Sequence, residues 1–260
     1  MDGFKIVKRE GEMKISVITA THNSAATVKD TLTCIRQQDH PDIEHIIVDG
    51  ISTDQTLNIV AGFPHVGKLV SEKDRGIYDA MNKGICLATG DVIGILNSDD
   101  VYIDATVLSA VAAAFADPAV MTVYADLQYV HPGDLESVQR TWITGPFKKK
   151  NFYYGWMPPH PTFFVRKEVY KQVGLFNTDL RSAADYELML RILLKHGLPA
   201  HYIPRVIVKM RAGGVSNASL WNRLRANKED RLAWKLNELK PYFFTLYLKP
   251  LRKISQFIIK

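Results

Sequence analysis

Four polar segments carry side chains able to hold a phosphate, a cation or a proton in transit. The first is Thr19-Ala20-Thr21-His22-Asn23-Ser24. It ends an apolar run and opens a helical one, so its side chains and free helix-start amides can meet an anion or a base edge; plain capping by Ser24 or Asn23 explains it equally well. The second is Val48-Asp49-Gly50-Ile51-Ser52-Thr53-Asp54. There Asp49 can accept hydrogen bonds from a nucleoside, and Asp54 reads as a helix cap. The third is Leu96-Asn97-Ser98-Asp99-Asp100. Adjacent carboxylates repel, and a hard divalent cation such as Mg²⁺ or Mn²⁺ favours both being ionised; the alternative is a cap for a helix beginning near Asp104. The fourth is Ala183-Ala184-Asp185-Tyr186-Glu187-Leu188. Acids at i and i+2 do not share a helix face, so Asp185 and Glu187 must do different jobs: one can look into a cleft while the other pairs with a neighbour such as Arg191.

The elements that position these segments alternate. Ile15 to Thr19, Glu44 to Val48, Lys68 to Ser71 and Val92 to Leu96 are β-branched apolar runs that predict strands. Helical spacing fills Ala25 to Gln37, Asp54 to Ala61 and Ile77 to Ala88. Such alternation predicts an α/β fold with right-handed βαβ units, a mixed but mainly parallel Rossmann-like sheet, and helices on both faces. Ligands of such sheets gather at the carboxyl ends of the strands, where the first three segments fall. The second half predicts antiparallel strands over Met121 to Val130 and Ser137 to Ile143 around Pro132-Gly133, a strand over Thr162 to Arg166, and a helix over Ser182 to Lys195. A strand near His201 to Lys209 and an amphipathic helix over Leu220 to Leu239 follow.

The 260 residues are 47% apolar and 23% charged, which excludes a disordered chain. No run reaches the length that spans a bilayer, and the polar stretch 1–12 reads as a leader or a mis-called start. Cys34 and Cys86, without a CxxC, read as reduced buried thiols. A dinucleotide enzyme is disfavoured because the first loop lacks the glycine fingerprint.

Taken in order, Ile15 to Asn23, Ile47 to Asp54, Ser71 to Gly84 (SEKDRGIYDAMNKG), Gly90 to Asp100 and Ala184 to Glu187 resemble the inverting glycosyltransferases of family two, which have the GT-A fold. The resemblance covers roughly residues 13–216. Its nearest look-alikes build bacterial exopolysaccharide, O-antigen or colanic-acid-type units on a lipid carrier. It implies a nucleotide-sugar donor, with uridine the usual base, and a lipid-linked saccharide acceptor. By position it implies nucleoside contacts at Thr21, Asn23 and Asp49, further nucleotide contacts at Asn82 and Ser98, and a metal at Asp99 with Asp100. Asp185 matches the general base. Two departures stand out: Asn97, whose amide carbonyl can still ligate the metal, replaces the first acid of the DxD motif, and Ala184 replaces the glutamate that often precedes the base. Arg75 and Lys83 are placed to add positive charge near the phosphates or to lie in solvent. His160, in Pro158-Pro159-His160-Pro161-Thr162, faces the acceptor side in the analogy or serves structure. Phe152-Tyr153-Tyr154-Gly155-Trp156 stacks on sugar rings or forms a packed lid. Two rivals remain: a nucleotidyltransferase, and a degenerate sugar-nucleotide-binding subunit motivated by Asn97.

Charge is uneven. The chain carries +6 overall, but residues 209–260 hold twelve Lys/Arg and three Asp/Glu, leaving the body slightly acidic. The tail, 217–260, mixes aromatics, aliphatics and cations. It predicts a helical extension that docks on anionic lipid at the cytoplasmic face of the plasma membrane, or else packs on the body with a solvated basic face. Nucleic acid is disfavoured, since no recognition motif accompanies the charge.

Overall fold

A computed structural model describes residues 13–213 and 220–252. The expected leader 1–12 and the last apolar stretch, Phe257 to Lys260, lie outside the described residues.

The first half is the expected alternation: β1 (Ile15–Thr21), α1 (Val28–Arg36), β2 (Ile43–Asp49), α2 (Thr56–Ala61), β3 (Val66–Ser71), α3 (Ile77–Leu87) and β4 (Val92–Ile95). Then come β5 (Val101–Tyr102), α4 (Val107–Ala114) and a hairpin of β6 (Thr122–His131) and β7 (Asp134–Trp142). After it lie α5 (Lys149–Tyr153), β8 (Phe164–Arg166), α6 (Lys167–Val173), α7 (Ala184–Leu190), β9 (Ala200–Arg211), α8 (Leu220–Leu236) and α9 (Thr245–Leu251). The helix predicted over 182–195 is shorter in α form, because Arg191–Lys195 continue α7 as a π-helix.

Among the described residues the nine strands share one sheet, in the order β3-β2-β1-β4-β8-β6-β9-β5, with β7 added on β6. β1 to β4 pair in parallel; β8 runs antiparallel to both β4 and β6. Strand order therefore reverses at β1, which has β2 on one side and β4 on the other. The loops leaving β1 and β4 open side by side there, the usual ligand crevice of an open α/β sheet.

Both faces of the sheet are covered, which is why β1 is buried from end to end. Its side chains alternate: Ile18 joins Ile46, Met81 and Ile85 beneath α3, while Val17 joins Leu96, Val107 and Val111 beneath α4. α1 buries Val28, Thr31, Leu32 and Ile35 at helical spacing. α3 presses so close that a Cβ on Gly84 would lie 2.4 Å from Ile18 Cγ2. The basic tail packs on the body as far as it is described: Trp234 of α8 is wholly buried, and its indole donates to Tyr186 Oη at 2.9 Å.

Candidate functional site

The last residues of β1, β2 and β3 stand level, because Thr21 is in register with Asp49 and Asp49 with Ser71. That register makes Asp49 a hub. Its Oδ1 accepts from Thr21 Oγ1 at 2.9 Å and from Ser52 Oγ; its Oδ2 accepts from Ser52 N at 2.9 Å and Ser71 Oγ at 2.7 Å. Burial alone would raise the pKa of this enclosed carboxylate, but the Ser52, Ser71 and Thr21 donors outweigh it and hold the group below its ordinary value. Asn23, at a positive φ of 50°, accepts Thr53 N on its Oδ1 at 2.9 Å, tying the β1 loop to the β2 loop. Ser24 and Ser98 meet hydroxyl to hydroxyl at 2.9 Å, tying the β1 loop to the β4 loop.

The β4 loop is fixed from below. Thr31 of α1 donates to Asp100 O at 2.7 Å. Arg211, the last residue of β9, donates to Asp99 O at 2.6 Å and pairs with Asp30 of α1. Asp100 turns inward and is wholly buried. Burial first, then the Asp99 charge, pushes its pKa well above the ordinary value, and Asn97 Nδ2 donates to its Oδ2 at 3.1 Å. Asn97 Oδ1 and Asp100 Oδ1 are both buried without a hydrogen-bond partner. Asp99 is half-exposed at the same turn.

Asn97 also leads across the sheet to the fourth segment. Its Nδ2 lies 3.3 Å from His160 Nε2, and His160 Nδ1 lies 3.5 Å from Asp185 Oδ2 in the first turn of α7. The other carboxylate oxygen, Asp185 Oδ1, accepts from the Tyr78 hydroxyl of α3 at 3.1 Å. Burial, then the neighbouring Asp185 charge, raises the Tyr78 pKa well above its ordinary value, so the phenol stays protonated and is the donor. His160 is pushed down by burial, against the charges of Asp185 and Asp99, which pull it up. The imidazole thus stands between the Asn97 amide and the Asp185 carboxylate. Glu187 takes the other job expected from its spacing: it is buried, pairs with Arg191 and accepts from Asn237 Nδ2 at 2.9 Å.

Asn82 clamps the backbone of Phe176, its Nδ2 donating to Phe176 O and its Oδ1 accepting from Phe176 N, both at 2.9 Å, which leaves one N–H and one lone pair of the amide for any other partner. Several expectations need correction. Trp156 is not a sugar-stacking surface: it is 3% exposed, its indole donates to Thr144 O at 2.8 Å, and Tyr124 and Phe152 cross it edge-on. Cys86 is exposed, against the buried-thiol expectation, and Cys34 is half-buried; the desolvation of its thiol pushes it up to about 12. Arg75 lies in solvent at 77% exposure, beside Asp79 at 3.3 Å, and Lys83 pairs with Glu72 at 2.9 Å. Two residues of the site went unread in the sequence. Tyr78 stood in a motif without a role, and Arg211 gave no signal beyond its place at the end of a strand.

Comparison with known proteins agrees with the fold. The family described as glycosyl transferase family 2 matches residues 16–174. The PGL/p-HBAD biosynthesis glycosyltransferase of Mycobacterium tuberculosis is 32% identical over 209 residues, 78% of each chain. Among solved structures, residues 1–349 of S. aureus TarS in complex with UDP superpose with a TM-score of 0.67 at 19% identity, over 94% of this chain and 72% of that one. The chain spans 43% of a longer TarS structure. A mannosyltransferase of Pyrobaculum calidifontis, PcManGT, in complex with GDP-Man and Mn2+, also reaches 0.67, at 21% identity over 94% of this chain and 71% of that one. The sheet that reverses at β1, the polar loops at its carboxyl edge and the family match over most of that sheet make one statement: this chain belongs to glycosyl transferase family 2, has the GT-A fold and is a glycosyltransferase.

Proposed function

We propose that the chain transfers a hexose from a uridine-diphosphate sugar to a lipid-linked saccharide with inversion at the anomeric carbon, Asp185 acting as general base. The observation that carries the reading is the run Asn97–His160–Asp185–Tyr78, which joins the loop after β4 to the first turn of α7. In a single displacement, an acceptor hydroxyl attacks the anomeric carbon while the nucleoside diphosphate departs from the opposite side. Asp185 Oδ2 takes the hydroxyl proton as the new bond forms. Tyr78 holds Oδ1, and Oδ2, 3.5 Å from His160 Nδ1, is the oxygen left to take the proton.

On the donor side, a base edge would compete at Asp49 with the Thr21 and Ser52 hydroxyls, with Asn23 and Ser98 shaping the same crevice. The β4 loop fits a divalent cation, Mg²⁺ or Mn²⁺. The Asp99 carboxylate accepts no hydrogen bond among the described residues, and the buried Asn97 Oδ1 is an oxygen without a donor. Among the described residues no three His, Cys, Asp or Glu side chains are grouped to hold a metal, so diphosphate oxygens and water would complete its shell, as Mg²⁺ commonly requires. When bound, the cation would neutralise charge on the departing diphosphate. TarS in complex with UDP-GlcNAc and PcManGT with GDP-Man and Mn2+ support a nucleotide-sugar donor, and the mycobacterial relative supports glycan biosynthesis. The same reading sets the work at the cytoplasmic face of the plasma membrane, in surface polysaccharide assembly.

The test is release of nucleoside diphosphate by the purified chain, across a donor panel with and without Mn²⁺, alongside Asp185→Asn. The expected result is release from one donor, reduced on the order of 10²–10⁴-fold by the substitution with donor binding intact. Donor binding without release from any donor would favour the non-catalytic subunit.

A further inference from the structure

We infer that the outer face of α8, together with the aromatic segment that follows it, is a docking surface for an anionic lipid bilayer. Among the described residues, the packing of the tail on the body leaves this face uncovered. α8 points Asp230, Ala233 and Trp234 inward, as does Asn237 just after it, all buried, and turns Lys228, Arg231, Leu232, Lys235 and Leu236 to solvent. Those outward positions recur at three- and four-residue spacing, which is one stripe of a helix. Six of the eleven exposed large apolar side chains of the described surface lie between 232 and 251: Leu232, Leu236, Tyr242, Phe243, Tyr247 and Leu251. Phe243 is 90% exposed.

The aromatics are continuous. Phe243 meets Phe244 at 5.1 Å between ring centres, Phe244 meets Tyr242 at 5.3 Å, and Tyr242 meets Tyr154 at 6.2 Å. Each exposed tyrosine presents an apolar ring with a polar tip, the shape that sits at headgroup depth.

Charge narrows the occupant. The acids of this stretch are engaged within the body or beside it. Asp230 pairs with Lys249 at 2.7 Å, Glu229 accepts from Ser182 N at 2.8 Å, and Glu238 meets Lys195 at 3.5 Å. Lys228, Arg231, Lys235, Lys240 and Arg252 are all exposed around the aromatics. Lysine is depleted from protein–protein interfaces, whereas aromatics ringed by Lys and Arg suit an interface rich in anionic headgroups. Among the described residues no helix is long and apolar enough to cross a membrane, so the contact is peripheral.

The face is also well sited. α8 packs on α7, and Trp234 reaches Tyr186, the residue after Asp185. A saccharide held at a bilayer surface would thus be presented next to the helix that carries Asp185. Only this last consequence rests on the proposed transfer; the docking itself does not.

The experiment is co-sedimentation of the full chain with vesicles of phosphatidylglycerol and phosphatidylcholine, against phosphatidylcholine alone, at low and high salt. Binding is expected on the anionic vesicles only, and salt should weaken it. Lys235→Glu should lower the bound-to-free ratio at least about fivefold, the loss expected for one cation near such a surface. Phe243→Ala should lower it on anionic vesicles even at high salt. Both positions are exposed, and unchanged thermal melts would show that the variants fold. Absence of binding to anionic vesicles, or binding that neither variant alters, would overturn the proposal. So would a concentration-dependent dimer in analytical ultracentrifugation that Phe243→Ala abolishes, since the face would then belong to a second copy. Vesicle binding by a chain that releases no nucleoside diphosphate would sink the transfer reading and leave this one standing.

Discussion

The Tyr78 hydroxyl donates to Asp185 Oδ1 at 3.1 Å, joining side chains 107 positions apart. A hydrogen bond to an ionised group contributes about 1.5–3 kcal/mol. Tyr78→Phe keeps the ring that stacks on Phe176 and removes only the donor. We expect kcat to fall about tenfold with the donor KM unchanged. Steady-state kinetics with donor and acceptor varied separately check this; an equal loss in donor affinity would mean that the ring, not the hydroxyl, matters.

Asp99 and Asn97 give a second, opposed pair of outcomes. Asp99→Ala should weaken Mn²⁺-dependent donor binding about tenfold or more. Asn97→Asp should lower stability without metal, because it sets a third carboxylate beside Asp99 and the buried Asp100. The same variant should gain more melting temperature on adding Mn²⁺ than the unaltered chain does. Thermal shift with and without Mn²⁺ reads both; equal metal responses in all three proteins would remove this loop from the metal site.

Acid stability follows from Glu44 and His45. Burial opposes ionisation of Glu44, but donors from Ser16, Thr89 and Lys68 hold its carboxyl down at about 2. Its stabilisation is present above the unfolded value of 4.5 and is lost as pH falls toward 2. Burial, then His65, lowers the buried His45 to about 3, so the unfolded chain binds its proton first and stability starts to fall below 6.5. Both slopes have one sign. Glu44→Gln should melt lower at neutral pH, and its deficit should shrink as pH drops through this window, as followed by circular dichroism.

Trp234→Ala should destabilise the body by about 3–5 kcal/mol, the usual cost of emptying a buried indole site. Trp234 is wholly buried and bonded to Tyr186, so this holds whether or not the tail meets lipid. Urea denaturation of the full chain measures it. An effect under 1 kcal/mol would mean that α8 detaches readily from α7.

The parallel half of the sheet was legible because β1 and β4, covered on both faces, read as apolar β-branched runs, while the edge strand β3 alternates half-buried with exposed residues. β1 to β4 and the loops behind them appear where the pattern put them, with ends shifted by a residue or two. The separate duties of Asp185 and Glu187 were legible too, since helix geometry alone parts i from i+2. Other features had no local signature. The indole of Trp156 looks the same in sequence whether it faces a sugar or Tyr124. The backbone clamp that Asn82 makes on Phe176, 94 positions away, could not be read from the sequence either. Tyr78 gained a partner that only tertiary packing supplies.

Arg211 carries one more implication. It reaches the carbonyl of Asp99, the carboxylate of Asp30 and the carbonyl of Pro132. It does so from the far end of β9, whose register against β6 runs through Val130. That anchorage cannot form until β9 has paired, however early β1 to β4 assemble. The turn bearing Asp99 would then become rigid only once β9 is in place, and a nascent chain still lacking β9 would have its sheet edge before it had a competent donor pocket.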